Sequence, residues 1–312
     1  MNYSSFPKAV NTPMLLSALS AHLSDPHTLL GETDVLIRSV GSPEECEASS
    51  LVFLRPQPLE ELQKKVDACR AGVLIVDQPV PVSGERAVLV TADPLAMFIK
   101  ALNHLMHAEP TASVHATAVV SPDAQIAAGV SIGAHTVIEA GVSIEAGCTI
   151  GANCFIGGHA QIGQGTVIQN NVSIGGVGLG FHFEQDGNRL FFPHLGAVLI
   201  GAHAVIGSGS VIARGQLSDT VIGAGSRLGN LVNVGHNVRI GEHCAISSGT
   251  SIAGGVHLGD DCQVGVGVTF NAKITIANAC RIGMGSVVTK SLPAGVSVFG
   301  NPAKPLPTMG TF

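Results

Sequence analysis

The chain has 312 residues, of which 46% are hydrophobic, 12% are charged, 39 are Gly, one is Tyr and none is Trp, with a mean hydropathy of +0.40. The apolar residues are spread singly among Gly, Ala and Ser, so no stretch approaches the ~18 consecutive apolar residues of a spanning helix. A formal net charge of −6 without a Lys/Arg cluster excludes the basic footprint that nucleic-acid binding needs.

The N-terminal residues Met1 to Val10 carry one Lys and no apolar export signal, so a cytoplasmic location is expected. Seven cysteines, odd in number and without a CxxC pair, indicate neither a zinc ribbon nor a complete disulfide framework, and a reducing compartment fits them. Residues 1–108 read as a small α/β domain. Thr12-Pro13 predicts a helix start, with an N-cap and a Pro at the first helical position, running to Leu23. Leu59 to Arg70 predicts a charged helix, Gly72 to Val76 and Ala87 to Val90 buried strands, and Asp93-Pro94 a capped helix through Leu105. His107 to Ser113 reads as the link to a second domain of different character.

From Val114 an aliphatic residue returns every six positions through Ile174, resumes at Ile200 to Ile212, and runs again from Ile222 to Val288 with Phe270 in the series. The residue two before each is small or β-branched, as at Thr136, Cys148 and Val172, and Gly commonly comes next after the aliphatic. One large and one small inward side chain per short strand, with a turn between, is the unit of a parallel β-helix. Three hexads per coil would stack residues 18 apart at the ~4.8 Å strand spacing. Cys244, Cys262 and Cys280 form such a ladder; the spacing is compatible with a disulfide, and the inward position makes them buried space-fillers. The β-helix domain is expected to span 109–298, with insertions about 175–198 and 213–221, and 299–312 to form a tail.

The first insertion holds Phe181, Phe183, Phe191 and Phe192. They either cover the helix's own face or pack on a neighbouring subunit and a ligand, and the second is favoured. In the second insertion, Arg214 and Asp219 read either as an internal ion pair or as part of a site. Of thirteen histidines, His236 differs in context. It sits two past an inward aliphatic in Asn230-Leu231-Val232-Asn233-Val234-Gly235-His236-Asn237, and its stacking neighbours are Gly254, beside Gly255, and then Ala272. Such a ladder leaves a groove wide enough for an extended chain. Histidine is also the side chain best suited to act as a base near neutral pH.

The NLVNVGHN stretch, the GLGFHF loop, the PHLGAVLIG re-entry and the ARGQLSDTVIG interruption resemble the UDP-3-O-(3-hydroxyacyl)glucosamine N-acyltransferases of lipid A biosynthesis. SSLVFL, AGVLIV and AVLVTADPLAMF are similar to that family's N-terminal domain, so the resemblance covers nearly the whole chain in order. It implies a left-handed β-helix, a homotrimer with sites between subunits, and acyl transfer from a thioester to a sugar amine. It makes His236 the general base. Gly254 is then expected as the oxyanion donor, and Phe181, Phe183, Arg214, Asn230, Asn233, Asn237 and Lys273 as substrate-binding residues.

The chain also departs from the family. Gly229 stands where an Asp supporting the histidine is expected, Lys273 where a second histidine is expected, and Pro56 and Leu59 where the uracil-holding Asn and Tyr are expected. Phe299 to Lys304 resembles the GNPAK segment near the coenzyme A site of many hexapeptide acyltransferases. With the chain's end at Phe312, this favours acyl-CoA over an acyl carrier protein thioester, with Gly255, Gly285, Asn301, Pro302 and Lys304 on the cofactor. The expectation is a paralogue that acylates a nucleotide-linked amino sugar; the lipid A reaction itself and a non-catalytic trimeric scaffold are the alternatives. A zinc site between subunits, as in γ-type carbonic anhydrases, would need three converging ligands, and His236 and His243 fall on different hexad phases, so no metal is expected.

Overall fold

The computed structural model describes residues 8–106 and 112–305, and the chain divides into two compact units, 1–109 and 110–312. Part of the expected link, 107–111, lies outside the described residues.

The first unit is built on six strands: β1 (Lys8–Leu15), β2 (Thr28–Gly31), β3 (Leu36–Val40), β4 (Ser50–Phe53), β5 (Val73–Val76) and β6 (Ala87–Val90), in the order β1-β3-β4-β5-β6-β2. The four central strands run parallel, and β1 and β2 pair antiparallel at the edges. Alternation along the strands divides the core. Val73, Ile75 and Leu89 pack under α1 (Leu16–His22) and α3 (Pro94–Leu105), while Leu74, Val76 and Val88 pack under α2 (Leu59–Ala68). Asp93 Oδ1 accepts from Ala96 N–H at 2.9 Å and caps α3, with Pro94 beginning the helix.

The helix expected to start at Thr12-Pro13 begins four residues later. Those residues lie in β1, and α1 starts at Leu16 without a side-chain cap. Pro13 is tolerated because β1 is an edge strand with an irregular register between Ala9 and Met14. Helix α2 ends at Ala68 rather than Arg70.

The second unit is a parallel β-solenoid. Two-residue strands stack 18 apart, as in Asn233↔Ser251↔Thr269, and form three sheets of nine, eight and ten strands among the described residues. The hexad aliphatics and the small residues two before them fill the interior: Ile240, Ile246 and Ile252 are buried, as are Val238, Cys244 and Thr250. Val114, on the first described coil and bridged to Ile132, is 54% exposed. Cys244, Cys262 and Cys280 are buried free thiols, each donating to a carbonyl oxygen, of Gly259, Ala277 and Pro293. Burial pushes the Cys280 thiol up from its ordinary range.

Corners between strands carry left-handed residues, among them His135, His159, His203, Asn237 and His243 with φ between 54° and 59°. The pairing register jumps to 38 across the first insertion (Gln161↔Leu199) and to 22 across the second (Val205↔Arg227). Both insertions leave the solenoid and return without breaking the stack. Ser297–Phe299 pairs with Arg281–Ile282, and Lys304–Pro305 pairs back on Val298–Phe299, so the chain beyond 298 continues the last coil. Residues 306–312 lie outside the described residues.

Candidate active site

His236 comes directly after the strand Asn233–Val234 and Gly235, at a solenoid corner, and is half-buried. Its ring lies over Gly254, the residue stacked on it one coil later. A Cβ built on Gly254 would stand 2.7 Å from His236 Nε2 and 2.8 Å from Cε1, so the ring position requires glycine there. At equivalent corners the first free amide is capped by the next coil: Ala152 N–H by Asn170 Oδ1, Glu242 N–H by Asp260 Oδ1 and Asn230 N–H by Ser248 Oγ. Ala272, stacked on Gly254, has no side-chain acceptor. The Gly254 N–H therefore meets no side-chain acceptor from the next coil.

Asn237 fixes the imidazole. Its Oδ1 lies 2.9 Å from His236 Nδ1 and accepts from Gln216 N–H at 3.1 Å, while its Nδ2 donates to Ser218 O at 2.7 Å and Ser218 Oγ at 2.9 Å. The Gln216 amide and the Ser218 carbonyl allow only one orientation of the side-chain amide. Oδ1 is therefore an acceptor, so His236 Nδ1 carries a proton and Nε2 presents its lone pair toward Gly254. Asn237 adopts φ 59°, and its own N–H donates to Thr220 Oγ1 at 2.9 Å. The second insertion thus supplies the support that Gly229 lacks.

A residue that sequence reasoning missed completes the cluster. His194 is buried at 6% exposure, and its ring meets that of His236 edge to face, with centroids 5.3 Å apart. His194 Nδ1 donates to Phe192 O at 2.9 Å. Burial pushes the His194 imidazole below its ordinary range, and His236 and Arg214 push the same way against the Phe192 hydrogen bond. With Nδ1 donating to a carbonyl, Nε2 is the ring's acceptor in the neutral form, and among the described residues that atom is buried without a hydrogen-bond partner. Gly178 stands over both rings: a Cβ there would be 3.2 Å from His194 Nε2 and 3.3 Å from His236 Cδ2. His194 lies in the aperiodic PHLGAVLIG re-entry of the Phe-bearing insertion, which marked the segment in the sequence but not this residue.

The expected site residues divide into groups. Lys273 and Gly255 share the His236 corner: Gly255 N–H donates to His236 O, and Lys273 N–H donates to Gly254 O. Lys273 is exposed. Asn233 projects outward from the strand that leads to His236. Asn230 sits at another corner, where its Oδ1 accepts from Ser208 N–H at 2.9 Å and ties two coils.

Arg214 does not pair with Asp219. Its Nε donates to Gly196 O at 2.7 Å and its Nη2 to Leu195 O, while Asp219 Oδ1 accepts from Ala197 N–H at 2.7 Å. Both side chains strap the two insertions together by their backbones, because the re-entry segment offers unpaired carbonyls and amides on that side.

Phe181 and Phe183 lie on a hairpin, Phe181–Phe183 paired with Arg189–Phe191. They are 43% and 54% exposed, meet edge to face at 5.1 Å, and sit under the Arg189 guanidinium. Phe191 and Phe192 are also exposed, at 72% and 40%. Gly285, Asn301, Pro302 and Lys304 lie at the far end of the solenoid, on a corner other than that of His236; Asn301, Pro302 and Lys304 are exposed. Next to them Val264, Val266, Ile282, Met284 and Phe299 line a groove of about 710 Å³ with Arg281 at its edge. A single chain therefore brings Gly255 to His236 and leaves the other four expected cofactor residues elsewhere. Among the described residues, no three or more metal-ligating side chains converge, and no helix is long and apolar enough to cross a membrane.

Residues 141–176 and 219–254 match the six-repeat bacterial transferase hexapeptide model. The chain is 52% identical over 145 residues to the UDP-3-O-acylglucosamine N-acyltransferase of Agrobacterium fabrum, covering 46% of this chain and 41% of that one, so this match spans about two-fifths of the relative's length. It is 41% identical over 326 residues to the enzyme of the same name from Rhodopseudomonas palustris, covering 96% of this chain and 88% of that one. Among solved structures it is similar to LpxA from Acinetobacter baumannii, with TM-score 0.57 and 28% identity over 62% of this chain and 73% of that chain. On this near full-length match, the chain belongs to the UDP-3-O-acylglucosamine N-acyltransferase family.

Proposed function

We propose that the protein transfers an acyl group from a thioester to the amine of a nucleotide-linked amino sugar, with His236 as general base. The observation that carries this reading is the pinned tautomer: Asn237 Oδ1 holds the proton on Nδ1, which leaves Nε2 as a lone pair over Gly254. A neutral amine attacks the thioester carbonyl as His236 Nε2 takes one of its protons, and the new C–N bond leaves a tetrahedral oxyanion. The Gly254 N–H donates to that oxygen. Collapse expels the thiolate, which takes the proton from the His236 imidazolium and leaves as a thiol.

Coenzyme A is the proposed donor, on the strength of the exposed 300–304 segment beside the apolar groove, which suits a pantetheine arm. Since groove and base lie on different corners of one chain, the complete site takes the groove of a neighbouring copy, and a homotrimer is the proposed assembly. The exposed Phe hairpin then packs on the neighbour and the substrate, as do Asn233 and Lys273. A second reading, UDP-3-O-acylglucosamine as acceptor with an acyl carrier protein thioester, is favoured by the 41% identity over 96% of the chain.

Thiol release and product mass, measured with acyl-CoA or acyl carrier protein donors and a panel of nucleotide-linked amino sugars, test both. Release that requires acyl-CoA and an amino sugar supports the first reading. Release only with acyl carrier protein and UDP-3-O-acylglucosamine replaces it with the second, and no release with any pair removes both.

A further inference from the structure

His194 has no part in the proton transfer to His236, yet its ring is the one that meets His236. The Nε2 atom is buried and has no donor among the described residues, and a buried unsatisfied acceptor costs about 1–3 kcal/mol. Such an arrangement within ring contact of a catalytic base calls for a donor supplied by a ligand. A hydroxyl nucleophile offers one hydrogen, which the base removes. A neutral primary amine offers two, and the second needs an acceptor of its own once the site closes over it.

The two rings meet edge to face with centroids 5.3 Å apart, and Gly178 lies against both, so one small group in that place adjoins both imidazoles. Gly178 now occupies the approach to His194 Nε2. Four of the six residues 175–180 are glycine, and Val177 and Leu179 are 73% and 75% exposed, so this segment has little packing to lose when a ligand displaces it.

We infer that His194 Nε2 accepts the second N–H of the amine nucleophile and so selects an amine over a hydroxyl acceptor. This rests on the N-acyltransferase reading. Within it, His194 is a residue that touches substrate and determines specificity, while His236 remains the base. The same contact orients the amine lone pair toward the thioester carbonyl, since two of the nitrogen's three substituent directions other than the sugar are then fixed by acceptors.

The test uses the purified full chain with the amino-sugar nucleotide found to turn over and its hydroxyl counterpart as a competitive inhibitor. His194→Phe keeps a ring against His236 and removes the acceptor; His194→Gln supplies a side-chain oxygen instead. Expected are a fall of about tenfold in kcat/KM for the amine in His194→Phe, the size of one hydrogen bond, an unchanged Ki for the hydroxyl counterpart, and substantial recovery in His194→Gln. Unchanged kcat/KM in His194→Phe overturns the inference. So does a Ki that rises in step with the loss, which marks structural damage, or a Gln variant as impaired as Phe. If the wild type turns over no amine acceptor, the N-acyltransferase reading itself fails; a wild type active on amines with unaffected His194 variants fails this inference alone.

Discussion

Asn237 Oδ1 and His236 Nδ1 lie 2.9 Å apart, and the same oxygen accepts from the Gln216 backbone. Adjacent residues thus divide the work at one corner, with the first carrying the reacting nitrogen and the second fixing its tautomer through a left-handed backbone. Asn237→Ala removes the pin and frees the imidazole to rotate. The expected outcome is a fall in kcat of about 10²-fold with a smaller change in KM, as for a misplaced catalytic group. Steady-state kinetics on the variant check it, and an unchanged kcat would show that the pin is dispensable.

Gly254→Ala is expected to abolish most turnover while leaving the solenoid intact. Gly254 does not adopt a positive φ, so the backbone accepts Ala, but the new Cβ would press on His236 Nε2 and Cε1. A loss of about 10²-fold in kcat with a wild-type melting temperature is predicted. Its neighbour behaves differently: Gly255 has φ 73°, and a Cβ there would meet Lys273 alone, nearest its flexible side chain at 3.3 Å, and not His236, so Gly255→Ala stores ~1–2 kcal/mol of backbone strain and lowers the melting temperature instead.

The pH dependence of stability carries a contribution from His194. Unfolded, its imidazole titrates near ~6.5; folded, burial together with His236 and Arg214 lowers that midpoint. Between the two midpoints the unfolded chain binds more protons than the folded one, so stability rises with pH through this window and is lost as pH falls below about 6.5. His194→Gln removes the contribution. Urea midpoints at pH 7.5 and 5.5 are expected to differ less in the variant than in the wild type, and an equal difference in both would contradict the assignment.

The solenoid was legible because its signal is repeated. Each hexad places Ile, Leu or Val inward with a small residue two before it, so errors in single hexads do not matter. The first unit was less legible where local and tertiary signals conflict. Thr12-Pro13 carries both marks of a helix start, yet the segment gains more by pairing with β3, and an edge position accommodates the Pro. Strands β2 to β4 are short and only half periodic. In the site, His236 and Gly254 emerge from the 18-residue stack, whereas His194 is brought to them across an aperiodic insertion whose path no spacing encodes. For the same reason the Arg214 and Asp219 charges invited an ion pair, when each instead holds backbone from the other insertion.

The interior of the solenoid predicts a large penalty for truncation. Ile246 is 2% exposed and stacks between Leu228 and Val264. Ile246→Ala leaves a cavity that neighbouring coils, tied by hydrogen bonds on both sides, cannot close, and a loss of about 2–5 kcal/mol is expected. Denaturant unfolding measures it, and a loss below ~1 kcal/mol would mean that the coils relax into the space.

The central claim is that the His236 Nε2 lone pair removes the proton from the amine. Turnover by His236→Gln beside the wild type, at saturating thioester and amino-sugar nucleotide, tests it most directly, with melting temperature and oligomeric state measured on the same samples. The account predicts a fall in kcat of about 10²–10⁴-fold, the usual worth of a positioned base, with fold and assembly unchanged. A variant that folds as the wild type does and keeps its kcat within about threefold, well below that range, would contradict it.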